Sequence, residues 1–146
     1  MKRVAAVAFI LSGASAVAQA PSEPLQAAAT VRQLMLDLIH PASNDFLLAV
    51  YRGVPDKEQE WAAVRRSALT LAESGTLLMA RGRARDDGDW MKDARALVEV
   101  GTAAYKAAQA KDLKALAALA DPLDRSCTTC HTQYRPNVFP RDGASK

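Results

Sequence analysis

Apolar residues recur every three or four positions along most of the chain, the spacing of one helix face. From Leu25 to His40 that stripe is Ala28, Val31, Leu34, Met35, Leu38 and Ile39. Pro41 follows, and the residue before a proline is pushed out of the α region, so a first helix is expected to end there. Ser43 or Asn44 is placed to cap a short second piece through Phe46, Leu47, Val50 and Tyr51. Gly53 and Pro55 then mark a turn.

Asp56 is the expected N-cap of a long helix, with Gln59 as its capping-box partner. Trp61, Val64, Ala68, Leu71, Ala72, Gly75, Leu78 and Met79 form its stripe. Glycines and charged side chains from Arg81 to Asp89 read as a solvated connection. The next helix carries Trp90, Ala94, Leu97, Val98, Gly101, Ala104, Tyr105 and Ala108. The last begins after Asp112 with Leu113, Leu116, Leu119 and Leu123, then runs into Cys127, Cys130 and His131. Asp121, Pro122 and Asp124 predict a kink or a short break and restart within it. No segment alternates as a strand does. The expectation is all-α: an antiparallel up-and-down four-helix bundle with short connections.

The first twenty residues read differently. Lys2-Arg3 is a basic start, Val4 to Gly13 is uncharged and apolar, and Ala18-Gln19-Ala20 is a small-x-small cleavage site. That is the layout of a signal peptide over 1–20, leaving 21–146 as a single domain. The apolar run is far short of the roughly 20 residues that span a bilayer. An exported chain with no membrane anchor is expected, and the basic start suggests a bacterial periplasm.

Charge narrows the partners. The whole chain has a formal net charge of +3, and Lys2 and Arg3 fall in the removable segment, so the remainder is close to neutral. That argues against a nucleic-acid partner, which requires a basic stripe against the phosphates. Aromatic residues are only 5% of the chain and alanine makes up much of its apolar share. A core so short of bulk leaves room for something large and flat.

Cys127-Thr128-Thr129-Cys130-His131 is a C-x-x-C-H sequence, the attachment pattern of c-type haem. Three residues on a helix turn the chain by about five-sixths of a revolution. The thiols therefore lie on nearly the same side, ready to add to the two vinyl groups of one porphyrin edge, and His131 is carried beneath the iron as an axial ligand. A disulfide here would close a tiny loop and stabilise little. A redox pair usually opens a helix after a strand, and no strand is predicted. A structural zinc needs four ligands, and beyond these three residues the chain has only the distant His40. These two cysteines are the only ones in the chain.

Extended to Thr132-Gln133-Tyr134-Arg135, the segment resembles the C-x-x-C-H-x-x-Y-R signature of the class II c-type cytochromes, the cytochrome c′ family. The resemblance covers the mature chain in layout, but only this C-terminal motif is specific. It implies a four-helix bundle with one covalent haem c on its last helix. It also implies thioethers at Cys127 and Cys130, His131 as the proximal ligand, and Arg135 close to the haem. For Tyr134, core packing stands beside any role at the haem. For Arg135, a solvated helix end does.

The family is divided by its sixth iron ligand. Five-coordinate members place an apolar residue of the first helix over the iron and low-spin members a methionine. The first helix here offers Met35, about ten residues in and flanked by Val31, Leu38 and Ile39. Methionine on an apolar face is also common core filler. His40 is the rival, at a helix end and five residues from Met35. Met79 and Met91 read as core or boundary residues.

The functional expectation is a mono-haem electron carrier that serves redox partner proteins, with His131 and Met35 on the iron. A five-coordinate haem protein that binds a small gas such as nitric oxide or carbon monoxide is the alternative. No Ser/His/Asp set or glycine-rich phosphate loop is present, so an enzyme is not expected. Arg81, Arg83 and Arg85, followed by Asp86, Asp87 and Asp89, read as a solvated loop or a docking patch for a redox partner. Family members often pair as dimers through their early helices, so a homodimer stays open.

Overall fold

Thr30 opens the first helix with a reciprocal cap. Its hydroxyl accepts from the Gln33 N–H at 3.2 Å, and the Gln33 side-chain oxygen accepts from the Thr30 N–H at 3.0 Å. Two N–H groups that the helix itself cannot satisfy are thereby paired. The computed structural model describes residues 27–53 and 57–137. The expected leader over 1–20, Leu25, Pro55 and Asp56 lie outside the described residues.

The chain does not stop at Pro41. Helix α1 (Val31–Leu34) passes through a π-helical turn (Met35–Ile39) directly into α2 (His40–Arg52). Proline has no N–H to give, and its ring crowds the carbonyl four residues back. The wider turn accommodates both. The His40 N–H reaches the Met35 carbonyl five residues back, and Pro41 falls in the first turn of α2, where no N–H is required.

This turn also re-aims the buried face. Leu34, Ile39, Ala42 and Phe46 are buried, a spacing whose five-residue step coincides with the π turn. A π turn carries one extra residue per turn, so the expected α stripe slips by one. Leu38 is consequently 39% exposed, and Tyr51, in the last turn of α2, is 76% exposed although it belongs to an expected stripe.

Helix α3 (Glu58–Leu78) starts with Lys57 at its cap position and no side-chain bond from Lys57, and the expected box of Asp56 with Gln59 falls on a residue outside those described. Glu58 and Glu60 in its first turn complement the positive end of the helix dipole. Glu58 also pairs with Arg65 at 2.6 Å and Lys111 at 3.0 Å. Helix α4 (Asp89–Gln109) lies close against α3. A Cβ on Gly101 would come within 2.5 Å of the Ala72 nitrogen and 2.9 Å of its Cα. Only a residue without a side chain permits that approach.

Helix α5 (Leu113–Ala117) is capped by Asp112, whose carboxylate accepts from the Ala115 N–H at 2.9 Å. The break comes at Ala118 and Leu119, earlier than the one expected at Pro122, and α6 (Ala120–Tyr134) takes Pro122 into its first turn, where no N–H is required. Phe46, Leu71, Leu116 and Leu123 are the largest fully buried apolar side chains, and Trp61 and Trp90 are buried with them. Helix is the only regular secondary structure among the described residues, with no strands, and four long helical stretches make them compatible with a four-helix bundle. Among the described residues, no helix is long and apolar enough to cross a membrane.

Candidate functional site

Cys127, Cys130 and His131 all lie on α6, and each is partly buried. Positions three and four apart on a helix are surface neighbours, so the two sulfurs and the imidazole share a face. That face borders a small, largely apolar cavity of about 40 Å³. Met35 and Ile39 of the π turn close it, with Leu78 of α3 and Trp90, Asp93 and Leu97 of α4. A second, more open space of about 320 Å³ shares Met35, Trp90, Cys130 and His131 in its wall and adds Arg32, Arg85, Tyr134 and Arg135.

The cysteines are not joined as a disulfide. Burial raises the pKa of Cys127, and burial together with the Asp93 and Cys127 charges pushes Cys130 up to about 11. Both shifts favour the protonated thiol over the thiolate. Burial lowers the pKa of His131 below its ordinary value, and the Arg135 charge adds to this. A neutral imidazole is the form that can lend its lone pair to a metal.

The structure sorts the candidate ligands. Met35 is partly buried and stands in the walls of both spaces beside the motif. His40 is exposed, lies 3.5 Å from the Asn44 side-chain nitrogen, and borders neither space. Met79 and Met91, both partly buried, border neither space as well. Arg135 caps the C-terminus of α6, where its N–H donates to the His131 carbonyl at 2.8 Å.

The connection before α4 is more structured than the sequence suggests. Asp86 accepts from the N–H groups of Gly88 and Trp90 at 2.9 and 3.0 Å, and from the Tyr134 hydroxyl at 2.5 Å. These bonds hold the Asp86 carboxyl below its ordinary range, the Tyr134 bond most of all. Desolvation and the Asp86 carboxylate push Tyr134 up to about 12. Tyr134 meets Trp90 edge-on at 4.9 Å, and the Trp90 indole N–H donates to the Leu78 carbonyl at 2.8 Å. Arg83 donates to the carbonyls of Ala29 and Leu77 at 3.1 and 3.3 Å. Asp86 and Arg83 therefore tie this loop to α3, α4, α6 and the start of the chain's first helix.

Sequence reasoning passed over Asp93. It is buried, and its Oδ2 has no hydrogen-bond partner. Burial raises its carboxyl pKa, and the Asp89 charge adds to this. An unpaired buried polar group costs roughly 1–3 kcal/mol. The signal is one carboxylate among Trp90, Ala94 and Leu97, at helical spacing on the same face.

A haem suits this donor set. The porphyrin brings four nitrogens of its own, so the protein need supply only axial ligands and anchoring thiols. Among the described residues no group of three or more His, Cys, Asp or Glu gathers as a metal site. The larger space reaches the lower end of ordinary ligand pockets, about 300 Å³. No family model, curated protein or solved structure matches the chain.

Proposed function

We propose that the chain is a mono-haem c-type cytochrome of the class II family, exported to the periplasm, that passes single electrons between redox partner proteins. In this reading the helices form an antiparallel up-and-down bundle, and cleavage after Ala20 releases a protein without a membrane anchor. The observation that carries it is the meeting of Met35 with Cys130 and His131 around the same spaces, although 95 residues separate Met35 from Cys130 in the chain.

When bound, the haem supplies a one-electron ferric/ferrous couple. Cys127 and Cys130 anchor it as thioethers. His131 would hold the iron through its neutral imidazole, and Met35 would offer its thioether from the π turn as a second, soft ligand. Histidine with methionine favours a high reduction potential among axial pairs. Trp90, Leu78 and Leu97 exclude water from the iron's surroundings, and the Leu78 carbonyl fixes the Trp90 ring. The chain's task is to orient the group, fill its axial positions and leave part of it within reach of a partner.

The test is the absorption spectrum of the matured protein in both oxidation states, with and without carbon monoxide. A low-spin spectrum that carbon monoxide barely changes, converted to a carbon-monoxide-sensitive one by Met35→Ala, is the expected result. A wild-type ferrous form that binds carbon monoxide strongly would overturn methionine ligation and leave gas binding as the function. Absence of covalent haem would end both readings.

A further inference from the structure

Helix α4 presents Trp90, Asp93, Ala94 and Leu97 to the cavity beside the motif. Three of these are apolar, and the fourth is a carboxylate with one oxygen, Oδ2, that no hydrogen-bond donor meets. Asp93 is 9% exposed, and Oδ2 has neither solvent nor a hydrogen-bond donor. It is neither a helix cap nor a member of an ion pair among the described residues.

The surroundings offer it little compensation, since Lys92 and Arg125 border with it a separate, open space rather than the cavity. On its own helix, Asp89 repels it, and Lys92 attracts it only from an exposed position. Asp86, before the helix, repels it as well. On α6 the cavity wall includes Ser126, whose hydroxyl donates to the Leu123 carbonyl at 2.8 Å. The remaining α6 groups in the wall are Cys127, Cys130 and His131. On the cavity side the carboxylate meets no lysine or arginine, and the residues around it there that the mechanism uses are those that hold the haem.

We infer that Asp93 is a charge-compensating residue for the bound iron, favouring the ferric over the ferrous state. This rests on the haem reading above. Set apart from its propionates, the iron–porphyrin core has a single net positive charge when the iron is ferric and none when it is ferrous. Charges attract more strongly in a poorly solvated interior than in water. Asp93 therefore stabilises one oxidation state and is nearly indifferent to the other. On reduction one electron passes from the partner to the iron, no bond forms or breaks, and the carboxylate loses the charge it faced.

The experiment is a potentiometric titration of the haem-loaded protein at pH 7, followed by visible absorption, in wild type, Asp93→Asn and Asp93→Glu. The expected result is a more positive midpoint in Asp93→Asn, with Asp93→Glu staying nearer to wild type. A purely structural aspartate would alter stability in Asp93→Asn and leave the midpoint unmoved. An unmoved or more negative midpoint therefore overturns the inference. Should Asp93→Asn not accumulate as folded protein, Asp93→Ser removes the same charge with a smaller side chain and is read the same way. Wild-type protein lacking covalent haem would sink the cytochrome reading itself, whereas haem-bearing protein with an unmoved midpoint would sink only the role of Asp93.

Discussion

Helix α4 has two contrasting sides. Towards α3 it is nearly bare: Gly101 lets the Ala72 backbone approach, and Ala94 and Val98 crowd Gly75. Towards α6 and the π turn it carries Trp90, Asp93 and Leu97, and these surround a cavity. The first contact excludes everything, because backbone lies against backbone. The second is propped open by large side chains. One helix thus supplies both a rigid seam and the wall of a site. The small residues of the seam determine where the large ones can stand.

Enlarging the seam is the most direct way to break this division. Gly101→Val forces its side chain into the Ala72 backbone, which cannot rotate away, and should destabilise the chain by about 3 kcal/mol or more in urea unfolding. On the propped side, Trp90→Phe keeps most of the ring but leaves the Leu78 carbonyl without its donor, at a cost of roughly 1–3 kcal/mol by the same measurement. Ile39→Phe should cost less than about 1 kcal/mol in the haem-free chain, because the extra atoms enter a cavity. Its larger effect is expected on haem content, read by the pyridine haemochrome spectrum. Equal destabilisation by Gly101→Val and Ile39→Phe would erase the contrast between the two sides.

The smallest effect is one of pH. Tyr134 is raised in the folded chain from about 10 to about 12, so its contribution is fully present below pH 10 and is lost as pH rises towards 12. Asp86 is lowered, so its contribution is present above its unfolded value near 3.8 and is lost as pH falls through its lower folded value. In Tyr134→Phe, the loss of melting temperature between pH 10 and 12 should be reduced, with the loss at acid pH also weakened. Identical melting profiles for the variant and wild type would show that this bond does not hold the loop to α6.

Several features of this contrast are legible in the chain itself. Gly75 and Gly101 stand within apolar stripes, Trp61 and Trp90 read as core anchors, and the cysteines and His131 fall on one helix face. The box of Thr30 with Gln33 was also there to be read, but Ala28 and the residues before it extend the apolar stripe and mask the start. Other features depend on distant partners. Asp86 looks like one charge in a charged run because Tyr134 lies 48 residues away. Asp93 disappears into a mostly apolar periodicity. The π turn escaped because Pro41 signals an ending by a general rule, whereas this backbone changed its hydrogen-bond register and continued.

That register change makes the first helix unusual in what lengths of chain it can accept. The segment from Met35 to Ile39 holds one residue more than an α-helical path between Leu34 and Ala42 requires. Removing Leu38 together with Pro41→Ala should therefore return the segment to plain α-helix while keeping Ile39, Ala42 and Phe46 on the inner side. Elsewhere in the long helices, losing a single residue would turn every following side chain by about a quarter of a revolution. Among the long helices, the first is thus the one that can lose a residue without losing its core.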